Sequence, residues 1–131
     1  MANYMIDGHD LSKLFDKQYP TIKFSEDPKD HLPPRGSIIY TVFDRSGQFI
    51  YVGIAGIQKL PDRRSSISRM MSHKSGRRSG DQFCVYVHDV FVIPVLVKKG
   101  SYTPSRGLLD RLTKEYIQEN LSYRFCSFQT D

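Results

Sequence analysis

The spacing of hydrophobic positions changes several times along the chain, and each change marks an element. Leu11, Leu14 and Phe15 recur at helical spacing after Asp10, whose carboxylate can cap a short helix. The run SEDPKDHLPPRG, Ser25 to Gly36, then breaks the pattern, because its three prolines and several acids exclude regular structure. SIIYTVFD and FIYVGIAG follow, two β-branched and aromatic runs on either side of Arg45-Ser46-Gly47-Gln48, and they predict a β-hairpin. The second run closes on Gly53-Ile54-Ala55-Gly56, small residues that leave backbone amides accessible. Asp62 opens a helical stretch in which Ile67, Met70 and Met71 recur at i, i+3 and i+4, and Gly76 is placed to stop it.

Ser79-Gly80-Asp81 reads as a second helix cap. The segment after it, QFCVYVHDVFVIPVLV, is apolar at nearly every position, so periodicity cannot separate helix from strand. It is divided here into a short helix from Gln82 to about His88 and a strand from Val90 to Val97. From Ser105 to Asn120, Leu108, Leu112 and Tyr116 lie beside Leu109 and Ile117 on one buried helical face. The aromatic tail SYRFCSF is suited to an edge strand. This order predicts a small α+β domain, a three-stranded antiparallel sheet built on the hairpin and flanked by helices. Residues 1–35 then form a helical extension and proline-rich linker, and 36–131 the domain proper.

Composition narrows the class. A chain of 131 residues suits a single domain, and 39% hydrophobic with 25% charged residues excludes an intrinsically disordered one. The longest apolar-rich run, Val90 to Val97, holds a proline, stops at Lys98-Lys99, and is far shorter than the roughly 18 residues of a membrane helix. MANYMIDGHD has an early acid and no apolar core, so it does not read as a signal peptide. Cys84 and Cys126 form neither a disulfide framework nor a C-x-x-C pair and read as buried free thiols. The expected location is therefore the cytoplasm, or the nucleoid or nucleus, and not the outside of the cell.

Charge points to an anionic partner. The net charge is +5, and Arg63, Arg64, Arg69, Lys74, Arg77 and Arg78 cluster in mid-chain with Asp62 and Asp81 only at the edges. Lys74 to Gly80 makes a basic loop suited to backbone phosphates, with no means of reading bases. His9, His31 and His88 have no such context and read as structural. No Walker-type loop, H-E-x-x-H helix, zinc-spaced Cys/His cluster or nucleophile elbow is present.

Three features coincide: Ile38-Ile39-Tyr40, then after ten residues Tyr51-Val52-Gly53, then Arg69 and His73 four apart on the following helix. In this the chain resembles the GIY-YIG nuclease family over roughly residues 36–120, with Ile38 in place of the family's first glycine. The resemblance implies hydrolysis of DNA phosphodiester bonds with one divalent cation, Mg²⁺ or Mn²⁺. It implies that Tyr40, Tyr51 and His73 handle the attacking water, a tyrosine acting as base once nearby arginines stabilise its phenolate. Arg69 would steady the phosphate through two parallel donors. Gly53 would permit a close backbone approach, to DNA or to the next helix. Arg63, Arg64, Lys74, Arg77 and Arg78 would hold backbone phosphates.

The family also carries a metal-binding glutamate four residues before an isoleucine of the last helix, and counting back from Ile117 lands on Thr113. Asp110 and Glu115 are the candidate metal acids, about 60° and about 200° around the helix from Thr113. Each residue also has a plainer reading. Hairpin tyrosines commonly just pack, and basic loops are commonly just solvated. The alternatives are therefore a non-catalytic nucleic-acid-binding module on the same scaffold and a basic protein-interaction domain. DNA is the expected partner, with a homodimer or a recruiting protein as further candidates.

Overall fold

A computed structural model describes residues 5–6, 8–56, 65–100 and 105–128. The fold is α+β. Strands β4 (Ser37–Phe43) and β5 (Phe49–Ala55) form the predicted hairpin. Its turn is local chemistry: Asp44 Oδ1 accepts from the backbone N–H of Ser46 at 2.9 Å and of Gln48 at 3.0 Å, and Gly47 takes a φ of 87°. The ladder pairs Tyr40 with Gly53 and Val42 with Tyr51, then slips at Val42/Phe43 so that Phe43 faces Phe49. Ile50 is thus the extra residue of a β-bulge.

The sheet has four strands rather than the three expected, in the order β3 (Ile22–Lys23), β6 (Ser122–Phe128), β4, β5, all antiparallel. The aromatic tail is not an edge strand. It lies between β3 and β4, where Tyr123 faces the main core and Cys126 is buried on the other side. A strand covered on both faces has apolar residues at both parities, which is why its end-of-chain position misleads. A minor ladder joins β1 (Met5–Ile6) to β2 (His9–Asp10).

The segment expected to give a strand at Val90–Val97 is helical. Helix α2 (Gln82–Val87), capped by Asp81, runs through a π-helical turn at His88–Val92 into α3 (Ile93–Lys99). Phe83, Cys84, Val87 and Val92 face the core, whereas Val90, Val95 and Val97 face solvent, a helical division that β-branched content conceals. Pro94 follows directly on the π-helical turn, an irregularity of the kind that accommodates a residue unable to donate to the preceding turn.

Helix α1 (Ser66–Ser75) has Ser65 as its cap, the side chain accepting from Ser68 N at 3.1 Å. Asp62, read as its opening residue, lies outside the described residues. Gly76 ends α1 in the left-handed conformation, and a Cβ there would strike the Lys114 backbone, so α1 packs directly on α4 (Arg106–Asn120). The helix expected after Asp10 is only a 3₁₀ turn, Ser12–Leu14, with Asp10 Oδ1 accepting from Ser12 N at 2.9 Å. Within the proline-rich run, Pro28–Asp30 forms one 3₁₀ turn, because Pro28 suits a first helical position and Asp27 caps it. The first 35 residues contribute Leu14, Phe24 and Leu32 to the interior, and Thr41 Oγ1 donates to the Leu14 carbonyl at 2.6 Å. Both cysteines are buried and free. Among the described residues no helix is long and apolar enough to cross a membrane.

Candidate active site

Tyr40 and Tyr51 project from the same face of the hairpin, their ring centroids 6.4 Å apart. Gly53 makes this possible. A Cβ at that position would overlap the hydroxyl, Cζ and Cε1 of Tyr40, so the ring lies across β5 only because the side chain is missing. The close approach that Gly53 permits is therefore that of Tyr40 itself.

Helix α1 brings His73 to this face. The Tyr40 hydroxyl and His73 Nε2 are 2.6 Å apart, and His73 Nδ1 lies 2.8 Å from Asp81 Oδ2 and 3.1 Å from Oδ1. Asp81 also accepts from Ser72 Oγ at 2.6 Å and from the Cys84 backbone N–H at 3.0 Å. All three principal members are sealed from solvent, at 2% exposure or less. Burial works against the charged form of Asp81, but bonds from His73, Ser72 and the Cys84 N–H outweigh it and hold the carboxyl well below its usual range. A carboxylate only accepts, so His73 carries a proton on Nδ1 and Nε2 is left to accept from the Tyr40 hydroxyl.

Burial first, and the Tyr51 and Asp81 charges next, push Tyr40 far above the ordinary phenol range; the Arg69 charge opposes them. Burial, then Asp81, also raises Tyr51, again against Arg69. This corrects the expectation that nearby arginines would stabilise a phenolate, because desolvation of the rings exceeds their effect. Both tyrosines keep their protons near neutral pH. Arg69 is half-buried one turn before His73, and Tyr51 is also half-buried, its ring set edge-on to Phe83 at 5.0 Å. The half-exposed part of the site is therefore Arg69 and Tyr51, with Tyr40, His73 and Asp81 buried.

The remaining predicted residues do not gather here. Lys74 Nζ donates to the backbone carbonyls of Ser25 and Glu26 at 3.2 and 3.3 Å. Arg77 is exposed, and Arg63 and Arg64 lie outside the described residues. Arg78 Nε donates to Asp110 Oδ1 at 2.7 Å. Thr113, where the family pattern has its glutamate, is buried and donates its hydroxyl to the Leu109 carbonyl at 2.8 Å. Glu115 is exposed, with Arg111 at 3.9 Å. No group of three or more His, Cys, Asp or Glu side chains that could hold a metal is found among the described residues. The two candidate acids thus do not fit a metal seat at the tyrosines: Asp110 is committed to a guanidinium, Glu115 faces solvent, and the matching position is closed.

Asp81 was legible only as a helix cap, a role it also fills. Its link to His73 depends on how α1 and α2 meet, which no local pattern encodes. Comparisons with protein-family models, with curated proteins and with solved structures give no match to this chain.

Proposed function

We propose that this chain binds DNA and hydrolyses phosphodiester bonds at the surface formed by Arg69 and Tyr51. The observation that carries this reading is the 2.6 Å bond between Tyr40 and His73, which couples the hairpin half of the motif to its helical half. Each half-exposed residue has a definable task. Arg69 presents parallel donors to the non-bridging oxygens of a phosphate and balances charge that develops there. Tyr51, protonated, orients the attacking water by hydrogen bonding. Tyr40, His73 and Asp81 lie too deep to touch substrate, and they fix the spacing between Tyr51 and Arg69. No step is assigned to a cation.

A second reading, a DNA-binding module without catalysis, is favoured by the buried Thr113 and by the commitment of Asp110 to Arg78. Supercoiled plasmid incubated with Mg²⁺, with Mn²⁺ and with EDTA, alongside a folded Arg69→Ala variant, separates the two. Nicking that the variant lacks supports hydrolysis. Intact plasmid that is nonetheless retarded on a gel supports the binding module, and indifference to DNA at low salt removes both.

A further inference from the structure

We infer that the notch between the loop after α1 and the first turn of α4 is an oxyanion site that takes a phosphate group, with Arg78 and Arg106 as its donors. This cavity of about 280 Å³ is lined by Arg78, Ser79, Arg106 and Asp110. Two guanidiniums against one carboxylate leave its walls net positive.

Arg78 is set in place from two sides. Its Nε donates to Asp110 Oδ1 at 2.7 Å, and its Nη1 lies 3.5 Å from His88 Nε2. His88 is itself buried and oriented, since Nδ1 stands 2.8 Å from Asp89 Oδ1 and donates to it. That bond leaves Nε2 as the acceptor facing Arg78. The Asp110 bond orients the guanidinium, with His88 as a longer contact on its other side, and leaves Nη donors for a ligand. A donor ordered in advance loses little rotamer freedom on binding, the usual cost of gripping an anion with a long side chain.

Arg106 and Ser79, both exposed, line the same cavity and add a second fork and a hydroxyl. The first turn of α4 holds no acid to offset its positive end, which reinforces the same sign. A cavity of this volume admits a tetrahedral oxyanion with several waters, each occupying about 30 Å³ in the liquid. Asp110, nominated from sequence as a metal acid, serves here to aim Arg78. Arg106 had no part in the sequence reading, which took Ser79 into the basic loop and the helix cap and His88 as structural.

Two sources share this chemistry: a backbone phosphate of DNA, which rests on the function proposed above, and free phosphate or a small phosphorylated molecule, which does not. Calorimetric titration with inorganic phosphate against a chloride background of matched ionic strength is the primary test. A short DNA duplex, titrated in EDTA so that nothing is cleaved, is the second arm. The wild type is expected to bind phosphate, and Arg106→Gln to weaken it about tenfold, the low end for losing a charge-assisted bond. Asp110→Leu also weakens binding, although it removes a negative charge, because Arg78 Nε loses its acceptor.

Phosphate binding as tight or tighter in Asp110→Leu overturns the anchored site. So does failure of the wild type to bind at about 10 mM, ten times a dissociation constant of about 1 mM. Melting curves without phosphate verify that both variants fold. If Arg106→Gln also lowers DNA affinity and reduces the salt slope by about 0.9, the source is the DNA backbone. Unchanged DNA binding alongside lost phosphate binding makes it a free phosphate. Neither arm involves turnover, so an inactive plasmid assay leaves this site standing.

Discussion

Asp81 accepts from His73, Ser72 and the Cys84 N–H, and its removal has two separable consequences. Truncation to alanine leaves the buried His73 Nδ1–H without its acceptor, at about 1–3 kcal/mol, and uncaps α2, at about 1 kcal/mol more. Chemical denaturation would measure this directly. The pH dependence follows from the sign of the shift. A carboxyl held below its unfolded value stabilises the fold fully above about pH 4, progressively less as pH falls further, and not at all below its folded value. Asp81→Asn should therefore show a flatter loss of stability between pH 4 and pH 2 than the wild type; parallel curves would remove Asp81 from the acid response. Tyr40→Phe, which deprives His73 Nε2 of its donor, should cost about 1–3 kcal/mol. Tyr40, Tyr51, Arg69 and His73 were legible because their spacing is written along one hairpin and one helix. Asp81 was not, because its partnership crosses from one helix to the next.

At the scale of elements, legibility follows locality. The hairpin, Gly76 as a helix stop and the long helix before Asn120 are each specified by residues within a few positions of one another. Residues 82–99 are not, because an apolar run with valine at both parities satisfies a buried strand as well as a helix, and packing makes the choice. Val90 and Val95 test the outcome. A strand would turn one of them inward, whereas both are exposed here, so lysine at either position should change stability by no more than about 0.5 kcal/mol. A large loss at one position in urea titrations would restore the strand. Gly76 and Gly80 make a second comparison. Both have positive φ, but a Cβ at Gly76 meets the Lys114 backbone and one at Gly80 meets nothing. Alanine at Gly80 should cost about 1 kcal/mol of backbone strain, and alanine at Gly76 clearly more. Equal losses would show that α1 and α4 are not in direct contact there.

At the scale of the molecule, the first 35 residues are part of the interior. Phe24 packs on Phe83 and Tyr123, with centroids 5.5 and 4.9 Å away, and β3 pairs with β6. A chain beginning at residue 36 loses Leu14, Phe24 and Leu32 together, at about 2–5 kcal/mol each for large core side chains. That approaches the whole stability of a domain of this size, so the shortened chain should give a collapsed, poorly dispersed NMR spectrum. Sharp, dispersed resonances would show that the extension is dispensable. Sequence marked this segment as peripheral because turns and prolines dominate it, and the few residues that matter are scattered among them. The bulge at Ile50 has a consequence for how such motifs are counted. Phe49 and Tyr51 stand on opposite faces although they are two residues apart, because Ile50 between them has no partner of its own across the ladder. Deleting Ile50 would leave Tyr51 facing Tyr40 as before, whereas deleting Val52 would put Tyr51 out of step with Gly53. The interval between the two tyrosines is thus a count of rungs and not of residues, and a search that insists on one fixed spacing includes a position that the sheet itself does not register.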